Sequence, residues 1–222
     1  MGVTINGIDF DWEAPSSEIE MKGYVKLLKE AKKRFKKKNM LISVALHPWQ
    51  DLGKEGYAVV DRVNLMSYDR ITKTDQRHST AKGASQDVKN LIIQGCAPDK
   101  ILLGIPFYGR NTKDPSRVMT YKEIRDSYNP KPKQDQVKGM YFNGQRTVFR
   151  KTRWAQEKGL AGVFVWEAGQ DSDDDSSLLK AIHRAATGKP LHDTKEKGSE
   201  GAAKQQEASS ADSSSRAAKT EL

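Results

Sequence analysis

Acidic and large apolar residues alternate through Gly7-Ile8-Asp9-Phe10-Asp11-Trp12-Glu13. A period of two is the signature of a strand. It predicts one over about residues 4–12, with Asp9, Asp11 and Glu13 on one face and Ile8, Phe10 and Trp12 on the other. Ala14-Pro15-Ser16-Ser17 breaks the strand, and Ser17 followed three residues later by Glu20 forms a helix-capping pair. The pattern then changes to helical spacing over about 19–37, through Met21, Tyr24, Val25, Leu28, Ala31 and Phe35. Residues 40–46 are almost continuously apolar, as in a strand buried on both faces. Further strands are predicted at about 62–66, 101–107 and 161–166. Helices are predicted over 84–94 (Val88, Leu91 and Ile92 inward), 146–157 and 176–186, the last carrying Leu178, Leu179, Ile182 and Ala185. Residues 111–145 are rich in Lys, Asp and Pro and read as surface loop around a short helix at 121–126. Strands alternating with helices imply a parallel sheet with helices outside it, an α/β fold of five strands.

From about Gly188 the pattern ends. Residues 198–220 are Ser, Ala, Lys, Glu and Gln with almost nothing apolar beyond Ala, the composition of a disordered tail. The expected division is a folded unit over 1–190 and a tail over 191–222. The formal net charge is +9, and the tail's six acids and five bases leave +10 on the body. A basic body favours polyanions weakly. Its densest run, Lys32 to Lys38, ends a helix, where cations complement the helix dipole, and no aromatic platforms are interleaved with it. It reads as a solvated face, and no nucleic-acid partner is expected. The single Cys96 excludes an internal disulfide and reads as small-residue packing. No run approaches the roughly 20 apolar residues of a membrane span, so no membrane insertion is expected. The first residues lack a basic region followed by a long apolar one, so no signal peptide is expected.

The candidate chemistry lies in the opening strand. Three carboxylates in a row repel one another and resist desolvation, so packing alone does not account for them. An acidic strand end facing water and an oxygen-ligand site for a divalent cation are two alternatives. Glycosidic cleavage is a third. It needs an acid to protonate the leaving oxygen and a group to stabilise an oxocarbenium-like centre. Glu13 at the strand tip is the candidate acid, with Asp11 about 7 Å behind it along the same face.

Asn6-Gly7-Ile8-Asp9-Phe10-Asp11-Trp12-Glu13 resembles the Asp-Gly-x-Asp-x-Asp-x-Glu signature of the family-18 glycoside hydrolases, the chitinase family, with Asn6 in place of the first acid. Three further stretches are similar to later strand motifs of that family. They are Met66-Ser67-Tyr68-Asp69, Gly104-Ile105-Pro106-Phe107-Tyr108-Gly109-Arg110 and Gly162-Val163-Phe164-Val165-Trp166-Glu167. The resemblance covers about residues 3–187 and implies a TIM-type (β/α)8 barrel from its fourth strand onward, incomplete, with active-site residues at the C-terminal strand ends. The 51 residues between Arg110 and Gly162 look too few for the small α+β insertion common in the family plus a helix, which implies a shallower cleft.

The resemblance also implies roles. Glu13 would be the acid, Asp11 would orient the substrate's N-acetyl group, and Asp9 would hold Asp11. Tyr68 would hydrogen-bond the acetamido carbonyl, and Trp166 would form an apolar floor under the sugar. Met66 and Asp69 would line that subsite, Arg110 would contact a sugar on the reducing side, and Trp49 would serve either as an extra platform or as a packing residue. The nucleophile would be the substrate's own N-acetyl oxygen. The implied partner is chitin or N-acetylglucosamine oligosaccharides, with no metal and no organic cofactor. The family implies a secreted or extracellular protein. The terminal Lys219-Thr220-Glu221-Leu222 departs at one position from a Lys-Asp-Glu-Leu retention address and points to the endoplasmic reticulum lumen.

Overall fold

The computed structural model describes residues 5–191. The expected tail from 192 onward, with its terminal tetrapeptide, lies outside the described residues, as do residues 1–4.

Five parallel strands form the main sheet: β1 (Gly7–Phe10), β2 (Leu41–Leu46), β3 (Arg62–Leu65), β4 (Ile101–Pro106) and β9 (Gly162–Trp166). They pair in chain order, and β1 and β9 are the two edges. The sheet is open, and the count and order of its strands match the sequence reading. β1 is shorter than the alternating pattern, because the chain leaves the sheet after Phe10. Asp11 and Glu13 therefore stand just past the strand end.

Helices cover one face of the sheet. α1 (Glu18–Lys36) is capped as expected, with Ser17 accepting from Glu20 N at 3.2 Å. The Glu20 carboxylate itself turns back to Ser16 N. α1 lays Tyr24 and Leu28 against Ile42, Val44 and Leu46 of β2 and Val63 and Leu65 of β3. Trp12 meets Tyr24 edge-on, with ring centroids 5.4 Å apart, and Phe10 joins the same core. α2 (Gly53–Val59) was not expected: seven residues around one buried Tyr57 carry too little periodicity to register.

In α3 (Ala81–Ile93) the inward stripe is Ala84, Val88 and Leu91, and Ile92 faces out, contrary to expectation. In α6 (Leu178–Ala186) Leu178, Ala181 and Ala185 are buried and Leu179 is exposed. In both helices small alanines occupy core positions that a count of large apolar residues passes over. Cys96 is buried beside the α3 core, and burial raises its thiol to about 11.

The larger correction concerns residues 108–141. They are not a plain loop but a second, antiparallel sheet of four short strands: β5 (Tyr108–Asn111), β6 (Val118–Thr120), β7 (Gln136–Val137) and β8 (Met140–Tyr141), in the order β6-β5-β8-β7. α4 (Tyr121–Tyr128) sits within it, its start closed by a reciprocal Thr120–Glu123 capping box. The 51 residues between Arg110 and Gly162 are thus not too few for such a unit and a helix: the chain fits a small α+β unit and α5 (Gln145–Glu157) before β9 because these strands run only two to four residues. Tyr121, Ile124, Met140 and Phe142 give the unit a core continuous with Ile105 and Phe107.

Candidate active site

The uncovered face of the main sheet carries polar and small residues between a few large ones. Ala45, Met66, Tyr68 and Tyr108 form a buried cluster there, with Phe164 packed against it. Gly104 gives Tyr68 its place. A side chain at position 104 would stand 2.7 Å from the Tyr68 ring and 2.6 Å from the Leu65 carbonyl oxygen.

The three acids of the opening motif sit at and beyond the tip of β1. Asp9 accepts a hydrogen bond from Asn64 Nδ2 on β3 at 3.0 Å. Asp11 has its carboxyl pushed up, first by burial, then by the negative charges of Glu13 and Asp9. It lies within hydrogen-bonding reach of Glu13. Glu13 Oε2 is 2.8 Å from His47 Nε2, in the turn that follows β2.

After β3 the chain presents Tyr68 and Asp69. Burial, then the charges of Asp69, Glu13 and Asp11, push the Tyr68 phenol well above its ordinary value, so it remains an O–H donor facing the carboxylates. Asp69 adopts a left-handed backbone, φ 56°, which aspartate tolerates better than most residues. Its carboxylate is gripped from two sides. Arg110 Nη2 donates to Oδ2 at 2.7 Å while Nε bonds Oδ1, and His78 Nδ1 approaches Oδ1 at 3.3 Å. Burial works against the Asp69 charge, but the surrounding His78, Arg110 and Tyr108 outweigh it and hold the carboxyl far below the usual range. Arg110 is further fixed by Nη1 donating to Pro115 O at 3.0 Å, and its guanidinium lies 5.6 Å from the Tyr108 ring centre.

Trp166 ends β9, paired in register with Pro106, and is 53% exposed. Trp49 is 68% exposed and stacks on His47, with ring centroids 4.1 Å apart and planes 9° from parallel. Met66 is buried under Tyr68. Apart from Arg110, which lies on β5 of the antiparallel sheet, the candidate site residues lie at or just past the C-terminal end of a parallel strand, or in the turns that follow. His47, Gln50, Asn64, His78 and Tyr108 complete the surroundings and were not singled out. His47 carried a signal in its place directly after an apolar strand, and Tyr108 in lying within the motif that ends at Arg110. Among the described residues no three His, Cys, Asp or Glu side chains converge as a metal-ligand set, and no helix is long and apolar enough to cross a membrane.

The family model for glycosyl hydrolases family 18 matches residues 2–171, a span that holds all of these positions. The chain belongs to glycosyl hydrolase family 18. Its relatives include Chitinase 1 of Aphanocladium album, 26% identical over 237 residues, covering 81% of this chain and 55% of the relative. A GH18 chitinase from the chitin utilization locus of Flavobacterium johnsoniae is 28% identical in sequence, with a TM-score of 0.73, covering 82% of this chain and 60% of that one. The fold is also shared with a class V chitinase of Cycas revoluta solved with (GlcNAc)3, at 22% identity and a TM-score of 0.68, covering 82% of this chain and 68% of that one. The family-18 chain spans about half the length of the curated relatives it matches. The open five-stranded sheet is accordingly an incomplete version of the family's barrel.

Proposed function

We propose that this family-18 chain is a chitinase-like hydrolase of β-1,4-linked N-acetylglucosamine, working by a retaining, substrate-assisted route. The observation that carries the reading is the meeting of the Asp9–Asp11–Glu13 row with Tyr68 at the C-terminal end of one parallel sheet. Glu13 protonates the leaving glycosidic oxygen while the substrate's own acetamido oxygen attacks the anomeric carbon, giving an oxazolinium ion and keeping the nucleophile intramolecular. Asp11 accepts the acetamido N–H and offsets the positive charge that develops. Burial and the charges of Glu13 and Asp9 raise its carboxyl, and the positive charge that appears beside it relieves that pressure on its ionised form. Asp9, tied to Asn64, holds Asp11 from behind.

Tyr68 donates to the acetamido carbonyl, and a phenol held protonated by its surroundings suits that task. Trp166 forms the floor under the sugar, with Met66 behind it and Asp69 at the rim. Arg110 fixes Asp69 first and reaches a reducing-side sugar with what its fork leaves free. Trp49 offers its outer face as a further platform. The substrate class is supported by the oligosaccharide bound to the Cycas revoluta relative.

The test is hydrolysis of chitopentaose by the purified chain and by Glu13→Gln. Release of shorter oligosaccharides by the first and none by the second is expected, with binding of the pentamer retained in both. The open sheet edges favour one second reading, a non-catalytic carbohydrate-binding protein. Equal binding by the two proteins with turnover by neither would establish it in place of the first.

A further inference from the structure

The turn after β2 holds an imidazole against the carboxylate that the proposed reaction uses as its acid, and that reading gives the imidazole no part. His47 Nε2 and Glu13 Oε2 are 2.8 Å apart, so at least one proton lies between them. The turn itself is closed and pinned. His47 N donates to Gln50 Oε1 at 2.7 Å, and Gln50 N donates back to His47 O at 3.0 Å. The buried Gln50 amide then reaches Trp12 O at 3.4 Å, one residue from Glu13. Trp49 lies flat on the imidazole. One short turn thus fixes the ring plane and the backbone that carries its partner.

The other ring nitrogen selects the tautomer. His47 Nδ1 is buried and has no hydrogen-bond partner. A proton there would be a buried donor with no acceptor, which folded proteins tolerate less well than an unfilled acceptor. The proton therefore belongs on Nε2.

We infer that His47, as the neutral Nε2–H tautomer, is a positioning residue for Glu13; the inference rests on Glu13 being the acid. Nε2–H donates to Oε2 and turns Oε1 toward the substrate. As the glycosidic bond breaks, the Oε1–H bond breaks with it and the proton passes to the leaving oxygen. The carboxylate so formed keeps its bond from Nε2–H. When water adds to the anomeric carbon and opens the oxazolinium ring, its proton goes to Oε1 and the pair returns to its starting state. His47 neither gains nor loses a proton over the cycle. Its contribution is a fixed donor facing a group that becomes negative in the transition state.

The test has two arms on the full chain. Long-range proton–nitrogen spectra of the histidines should show His47 protonated at Nε2 and bare at Nδ1 at neutral pH, with the Nε2 resonance moving in Glu13→Ala while those of His78 and His183 stay. In kinetics on chitopentaose, His47→Leu should lower kcat about a hundredfold with KM unchanged. His47→Gln, whose amide N–H reaches nearly the same point, should recover to within about tenfold of the parent. A proton on Nδ1, an imidazolium at neutral pH, indifference of His47 to Glu13→Ala, or equal losses in the Leu and Gln variants would overturn the inference. If the parent chain does not hydrolyse the pentamer, the reading of the reaction fails, and the spectra still decide the His47–Glu13 pairing.

Discussion

Lys151 gives the sharpest prediction. It lies in α5 with its whole side chain buried, and Nζ donates to Ser79 O at 3.1 Å, Ser79 Oγ at 2.8 Å and Asn143 Oδ1 at 2.7 Å. All three acceptors are neutral. Burial therefore dominates, only partly offset by the charges of Asp135 and Asp87, and brings the ammonium from 10.5 down to about 7. The folded value is depressed, so between these two limits the unfolded chain binds more protons. The stability linked to Lys151 is thus fully present above the unfolded value and is lost as pH falls through the folded one. Integrated from pH 7 to pH 9, the gain in unfolding free energy is about 2 kcal/mol. Cys96, with its thiol raised from 9.0 to about 11, works in the opposite direction near pH 9.

Replacing Lys151 by Met isolates the effect. The volume is kept and the titration removed, and Cys96 contributes equally to both proteins. Ser79 O still accepts from Asn143 Nδ2 at 2.8 Å, while Asn143 Oδ1 loses its short bond from the lysine and keeps only the 3.5 Å contact from Ser79 Oγ. That loss is a constant of roughly 1–2 kcal/mol that does not depend on pH. Urea unfolding followed by tryptophan fluorescence at pH 7, 8 and 9 should give a stability difference, parent minus Lys151→Met, that grows by about 2 kcal/mol across the range. A difference that stays flat would mean that Lys151 remains charged throughout, and the argument from neutral acceptors would be wrong.

The other predictions concern the face that bears the site. Asp69→Asn should remove an acid-side loss of stability. The folded Asp69 carboxyl is depressed, so its stabilisation is present above the unfolded value and disappears as pH falls through the folded one. Discounted for its partial exposure it is worth about 1–2 kcal/mol, and urea midpoints at pH 7 and pH 3 should differ less in the variant than in the parent. Gly104→Ala drives a methyl against the Leu65 carbonyl oxygen at 2.6 Å and the Tyr68 ring at 2.7 Å. It should cost about 1–3 kcal/mol in urea unfolding and displace Tyr68, so an unchanged midpoint would contradict the packing described for that face.

How far residues alone carry the argument differs from one part of the chain to another. The five parallel strands were legible because β1 alternates strictly and β2 and β4 are apolar runs bounded by breaks, patterns written by local periodicity. The acids of β1 were legible for the same reason, since a period of two assigns Asp9, Asp11 and Glu13 to one side without knowledge of any neighbour. The second sheet was not, because β7 and β8 run two residues each and the pairing of β8 with β5 joins positions some thirty residues apart. Nor was the alanine stripe of α6, whose burial depends on how closely α5 approaches.

The sequence by itself therefore determined the strand order, the row of carboxylates and the family motifs. Only the tertiary structure decided what meets the carboxylates: Asn64 on Asp9, His47 on Glu13, and Arg110 with His78 on Asp69. Those pairs span between 34 and 55 positions of chain at the first three contacts. A pairing of that reach is fixed by which strand ends the sheet sets side by side, and no local pattern of polar and apolar residues records it.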